Sequence, residues 1–234
     1  MGQNEHEVWV ALNDGICLQG CLNVPEYPRA VVVFAQPTSN GRHEAHTQAM
    51  AGFLSDAGLA TLVVDLLTTQ EEANGAGGYG RAYQDVELMA MRLVETCRWL
   101  PQLHLTRGLG VGYYGTGVAA AATLIAAGLE PHRIGAVVTR AGRYDLLDDE
   151  QLESVWAPTL LLANRGDPRA QQLGRRAMDH LATESHIALL PAAGTLIEES
   201  SLLEHVAGIT RDWFLRHLAV VELPWGTSAS QAGA

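Results

Sequence analysis

Val111-Gly112-Tyr113-Tyr114-Gly115-Thr116-Gly117-Val118-Ala119-Ala120 reads as a strand, a tight glycine-rich turn and the start of a helix. The apolar run Leu109 to Gly115 is a strand, and Val118 to Ala127 continues as a helix. The same alternation extends in both directions. Upstream lie a strand at Ala30 to Ala35 (AVVVFA), a helical pattern from His43 to Asp56, a strand at Ala60 to Leu66 and a long helix over Ala82 to Trp99. The run AVVVFA has no polar alternation, as expected of a strand covered on both faces. Downstream come strands at Ile134 to Thr139 and Thr159 to Asn164, a helix at Ala170 to Ala182, a strand at His186 to Leu190 and a helix near Leu202 to Leu218. The first residues differ. Glu7 to Leu12 and Ile16 to Val24 are β-rich runs joined by Asn13-Asp14-Gly15, a good hairpin turn. An antiparallel start followed by strand–helix alternation predicts an α/β fold: a doubly wound, mostly parallel sheet with helices on both faces and no large cap domain. Ligands in such sheets sit beyond the carboxyl ends of the strands, here just after Ala35, Asp65, Gly115, Thr139, Asn164 and Leu190.

Composition narrows the chemistry. The chain has 234 residues, 47% of them hydrophobic and 18% charged, enough for one globular domain with a sizeable core. That domain is expected over residues 1–220, with 221–234 as a flexible tail. The net charge is −11, with 26 acidic residues against 15 basic ones and no basic stripe. Nucleic acid and anionic membrane surfaces are therefore not expected partners. All 15 basic residues are Arg. Without Lys there is no Schiff-base lysine and no Walker A lysine, which sets aside pyridoxal phosphate enzymes, class I aldolases and P-loop kinases.

Cys17, Cys21 and Cys97 form no disulfide framework, and Cys17 and Cys21 lack the second pair that a zinc site needs. No metal and no cofactor are expected. The N-terminal MGQNEHEVWVAL has no basic region followed by an apolar run, and no apolar stretch approaches the ~20 residues of a membrane span. A soluble, cytoplasmic protein is expected.

The element order and the run from Val111 to Ala120 resemble α/β-hydrolases of the dienelactone-hydrolase-like group, over roughly Leu18 to Leu218. Three other segments share the resemblance. Ala57 to Leu67 is similar to the fourth strand and its approach. Ala157-Pro158-Thr159 with Gly166-Asp167-Pro168 resembles the strand and turn that present the triad acid. Arg140-Ala141-Gly142-Arg143 with Asp145 resembles a segment after the sixth strand. The resemblance implies a nucleophile in G-x-S-x-G, a His base, an acid and an oxyanion hole of backbone N–H groups.

Laid on that pattern, Gly115 and Ala119 are the small flanking residues and Gly117 stands at the nucleophile position. Glycine has no side chain with which to form an acyl-enzyme. The base position falls on Thr195, which does not titrate near neutral pH. In the oxyanion region stand Gln36, Pro37 and Thr38; Pro37 has no N–H to donate, while Val118 can still donate its own. Asp167 alone remains of the triad, and without a His its simplest task is to cap the next helix. His186 and His205 read as surface or packing residues. His43 and His46 are three apart near a helix start and have no third metal ligand. Tyr113 and Tyr114 point to opposite sheet faces, and Arg140 and Arg143 are either a clamp for a carboxylate or phosphate or partners of Asp145 or Asp167. Residues 68–80 read as a polar, Gly-rich loop or lid.

These features predict an α/β-hydrolase-fold pseudoenzyme that binds a small molecule or a protein partner, with a homo- or hetero-oligomer compatible with either. Its expected pocket includes Gln36, Pro37, Thr38, Asp65, Tyr114, Thr116, Gly117, Val118, Arg140, Asp167 and Thr195. Two alternatives stand beside it: a lyase, isomerase or cyclase using Asp65, Tyr114, Arg140 or Asp167, and an ester hydrolase with a relocated site that pairs a Ser or Cys with a His.

Overall fold

The structure is a computed structural model and describes residues 5–74, 85–191 and 196–218. Among the described residues, eight strands form a single sheet in the order β1-β2-β4-β3-β5-β6-β7-β8. β1 (Glu5–Ala11) and β2 (Cys17–Asn23) make the antiparallel hairpin, in register Ala11 opposite Cys17. Its turn closes as the sequence requires. Gly15 takes φ +86°, and the Asp14 carboxylate accepts the Ile16 N–H at 2.9 Å. β2 runs antiparallel to β4 (Leu59–Asp65), and every later pairing is parallel. The remaining strands are β3 (Ala30–Gln36), β5 (Gly110–Thr116), β6 (Ile134–Arg140), β7 (Thr159–Asn164) and β8 (Ser185–Leu190).

β3 and β4 are buried along their whole length, which is why AVVVFAQ and LATLVVD show no polar alternation. Helices cover both faces. On one side lie α3 (Val86–Trp99), α4 (Gly117–Leu129), α5 (Asp149–Glu153) and α6 (Pro168–His180), with Tyr113 in their core. On the other lie α1 (Ala45–Asp56) and α7 (Leu196–His217), with Phe34, Tyr114 and Phe214. The two tyrosines thus divide between the two cores, as successive strand residues must. The close approach of α7 to β5 requires Gly112, because a Cβ there would lie 2.7 Å from the Phe214 ring.

The structure differs from the sequence expectation in three places. Residues 69–74 within the expected loop form a short helix, α2 (Thr69–Asn74). α7 starts at Leu196, a turn and a half before the apolar periodicity becomes legible. α5 was not anticipated; Asp148 and Gln151 start it with a reciprocal capping box. The rest of the 68–80 loop beyond Asn74, Thr195 and the 221–234 tail lie outside the described residues.

No helix among the described residues is long and apolar enough to cross a membrane.

Candidate functional site

The chain progresses from β3 toward β4 on one side and from β3's other neighbour β5 toward β8 on the opposite side. The switch between β3 and β5 opens a crevice at their carboxyl ends, the place where such sheets hold ligands. Gln36 ends β3 there, and Thr116 ends β5.

The β5–α4 junction is built from small residues. A Cβ on Gly115 would lie 2.8 Å from the Ala119 carbonyl oxygen, so the strand can meet its helix this closely only with glycine. Thr116 is the N-cap in an extended conformation, and its side chain makes no capping bond. Gly117 follows at φ +56°, in the left-handed region, yet a Cβ on it would meet nothing within 4 Å. The junction is thus a tight strand-to-helix elbow whose tip projects no side chain into open space. The Gly117 carbonyl accepts the Arg143 N–H at 3.0 Å, which ties the elbow to the turn after β6.

That turn holds Ala141 at φ 48°, the one non-glycine with positive φ among the described residues. Arg140, at the end of β6, is opposite Thr116 in the sheet register. Its Nη1 lies 3.0 Å from His46 Nε2. A guanidinium only donates, so this ring nitrogen must accept and the imidazole is neutral. Burial and the Arg140 charge both lower the His46 pKa, in the same sense. Beneath Arg140, Tyr114 packs against Phe34 with ring centroids 4.9 Å apart. Burial raises the Tyr114 pKa, and the Arg140 charge and hydrogen bond oppose that rise only in part. Among the described residues no carboxylate lies within ion-pair distance of Arg140, whereas Arg143 is bound by Asp145 at 2.8 and 3.0 Å.

The far side of the crevice is fixed by charge. Asp65 ends β4 almost wholly buried, accepting the Arg42 N–H at 2.8 Å and pairing with the Arg42 guanidinium. Burial raises the Asp65 pKa while the Arg42 bonds pull it down. Arg42 also donates to the Ser39 carbonyl at 3.3 Å, so the pair staples the loop that carries Pro37 and Thr38. Gln36 is buried and bonds the Thr47 hydroxyl at 3.3 Å.

The structure therefore gathers Gln36, Pro37, Thr38, Thr116, Gly117, Val118 and Arg140 around the β3–β5–β6 ends, with Tyr114 beneath. Asp65 stands one strand away, bound to Arg42. Asp167 is exposed and caps α6, accepting the Ala170 N–H at 2.9 Å, the simple role expected for it. His205 is on the exposed side of α7, and His186 lies beside Glu184 and Trp213 on β8. Among the described residues no Ser hydroxyl or Cys thiol is hydrogen-bonded to a His, and no cluster of three or more His, Cys, Asp or Glu is arranged to hold a metal. Sequence reasoning missed one residue and read another without its partner. Arg42 gave no signal, because its partner is 23 positions away. His46 was noticed for its spacing from His43, but its partner is Arg140, 94 positions on.

This sheet order and switch-point elbow define an α/β-hydrolase fold. No family model matches the chain. The dienelactone hydrolase of Anabaena variabilis superposes with a TM-score of 0.84 at 34% identity, over 92% of this chain and 98% of that one. The chain belongs to the dienelactone hydrolase family. An esterase domain from a Rhodothermus marinus protein shares the fold at 17% identity and a TM-score of 0.69, over 92% of this chain and 99% of that one. A Mycobacterium tuberculosis protein named "Putative phosphoribosyl transferase" is 41% identical over 199 residues, 85% of this chain. The chain spans 44% of the length of the curated relatives it matches.

Proposed function

We propose that this chain is a dienelactone-hydrolase-fold protein that binds a small acid in the β3–β5–β6 crevice and does not hydrolyse esters by a Ser-His-Asp mechanism. The observation that carries this reading is Gly117: the elbow has the tight, left-handed geometry of a nucleophile turn and open space at its tip, but no side chain there. In this reading Thr195 stands at the base position and Asp167, occupied as a helix cap, orients no imidazole. Arg140 supplies the charge for a carboxylate or phosphate, being held beside neutral His46 with no carboxylate partner among the described residues. The N–H groups at the start of α4 face the same opening.

The test has two arms. The wild-type chain should release p-nitrophenol from p-nitrophenyl acetate no faster than buffer does. Native mass spectrometry of protein purified from its own host should show a bound small acid that is lost from Arg140→Ala. Saturable ester turnover would overturn the first half, and an unchanged adduct in Arg140→Ala the second.

A second reading is favoured by the relatives. Their length beyond the shared stretch, and the name they carry, suit a unit that works alongside a phosphoribosyl-transfer unit. In that case a protein partner, not a small acid, would appear in the native spectrum.

A further inference from the structure

A second cavity, of about 240 Å³, lies apart from Gly117 between the outward face of the β1–β2 hairpin and the turns that follow β3 and β4. One wall is the hairpin. Trp9 pairs with Gln19 and Ala11 with Cys17, so Trp9, Gln19 and Cys17 share the face turned away from Val10 and Leu18 in the core. Trp9 is 59% exposed, so much of its indole surface is open to a ligand. The other wall is formed by Ser39 and the segment from Leu67 to Gln70.

Side-chain hydrogen bonds tie down this second wall. Arg92, 3% exposed, donates to the Leu66 carbonyl at 2.5 Å and to both carboxylate oxygens of Glu71. Glu71 in turn accepts the Thr68 N–H at 2.8 Å, and Glu72 accepts the Ser39 N–H at 3.1 Å. Arg42 and Asp65 hold the carbonyl side of Ser39. The buried Arg42–Asp65 pair and the part-buried Arg92–Glu71 pair thus fix this wall of the groove, the preorganisation expected of a ligand site.

The lining names the ligand's chemistry. It contains no charged side chain: an indole, the carboxamides of Gln19 and Gln70, hydroxyls and the Cys17 thiol. The side chains of Gln19, Gln70 and Thr69 make no hydrogen bond to any described residue, so their polar groups are available. An indole face takes a flat ring by stacking. A carboxamide offers a donor and an acceptor side by side, matching the edge of a nucleobase. Phosphate finds no cation there, and the chain as a whole is at −11. We infer that this groove binds an uncharged nucleobase or nucleoside, stacked on Trp9 and read at its edge by Gln19 and Gln70.

Cys17 provides the readout. Cys21 and Cys97 are buried, with burial pushing their thiols up to about 12 and about 11, whereas Cys17 is exposed. An aromatic disulfide reagent at neutral pH should therefore modify Cys17 first in the intact chain. Adenosine should slow that reaction saturably. Glucose, as a polyhydroxylated ring without an aromatic face, should leave it unchanged, and AMP should protect more weakly than adenosine. Stacking lost in Trp9→Ala should weaken adenosine about 5- to 150-fold. Gln70→Ala, a surface change, provides the same test without touching the strand, and should also weaken it. Adenosine without effect up to its solubility, equal protection by glucose, or undiminished protection in both variants would each overturn the assignment.

Discussion

Gly117 was legible because its context is local: Gly115, Thr116 and Ala119 surround it, and the tight junction they make needs no distant partner. Its conformation adds what spacing could not, since φ +56° shows that the backbone would be strained by any other residue. Gly117→Ala fits sterically, with nothing within 4 Å of the added Cβ, so its cost comes from the backbone alone. We expect a loss of about 1–2 kcal/mol, read as a lower urea midpoint with an unchanged slope. An unchanged or raised midpoint would show that the elbow relaxes without strain. The ion pair of Arg42 with Asp65 shows the opposite case at this scale. Asp65 was singled out for its place at a strand end, but a partner 23 residues earlier leaves no mark in the sequence. A residue's position on the carboxyl edge can be read from the alternation of strands; what its side chain is bonded to cannot.

Among the elements, α2 shows why part of the 68–80 segment read as a loop. Thr69–Asn74 (TQEEAN) has no apolar stripe, so no helical period is visible. Its start signal was nevertheless present in Thr68-x-x-Glu71, where the Glu71 N–H is bonded by the Thr68 hydroxyl at 3.2 Å and Glu71 accepts the Thr68 N–H in return. The remainder comes from Arg92 on α3. Its hydrogen bonds, with those of Thr68, outweigh burial and hold the Glu71 carboxyl down at about 2. A carboxyl that is lower in the folded state contributes stability above its ordinary value of 4.5, and this is lost as pH falls toward 2. Glu71→Gln should therefore be less stable than wild type at pH 7, by on the order of 3 kcal/mol. The gap between the two should narrow as pH drops from about 4.5 to about 2. Urea melts at pH 7 and pH 3 measure this. A gap that stays constant with pH would mean that the charge of Glu71 contributes nothing to stability.

At the scale of the molecule, strand alternation and hairpin were legible, because each rests on hydrophobic period and turn chemistry repeated along the chain, whereas the switch between β3 and β5 depends on the strand order of the folded sheet. In the proposed reading, the nucleophile, base and acid positions fall on three separate turns. Residues that act as such a unit are strongly non-additive: a triad missing two members gains almost nothing from regaining one. If Gly117 and Thr195 stand at the nucleophile and base positions, Gly117→Ser and Thr195→His should each leave p-nitrophenyl acetate hydrolysis near the buffer rate. The double variant should turn over faster than the two single gains multiplied, with a pH dependence rising through the His range. Asp167→Asn in that background should reduce the gain while keeping an oxygen that can accept the Ala170 N–H and cap α6. Rates that merely multiply, or a double variant no faster than buffer, would place the base elsewhere on the carboxyl edge and leave Gly117 as an elbow kept for its shape.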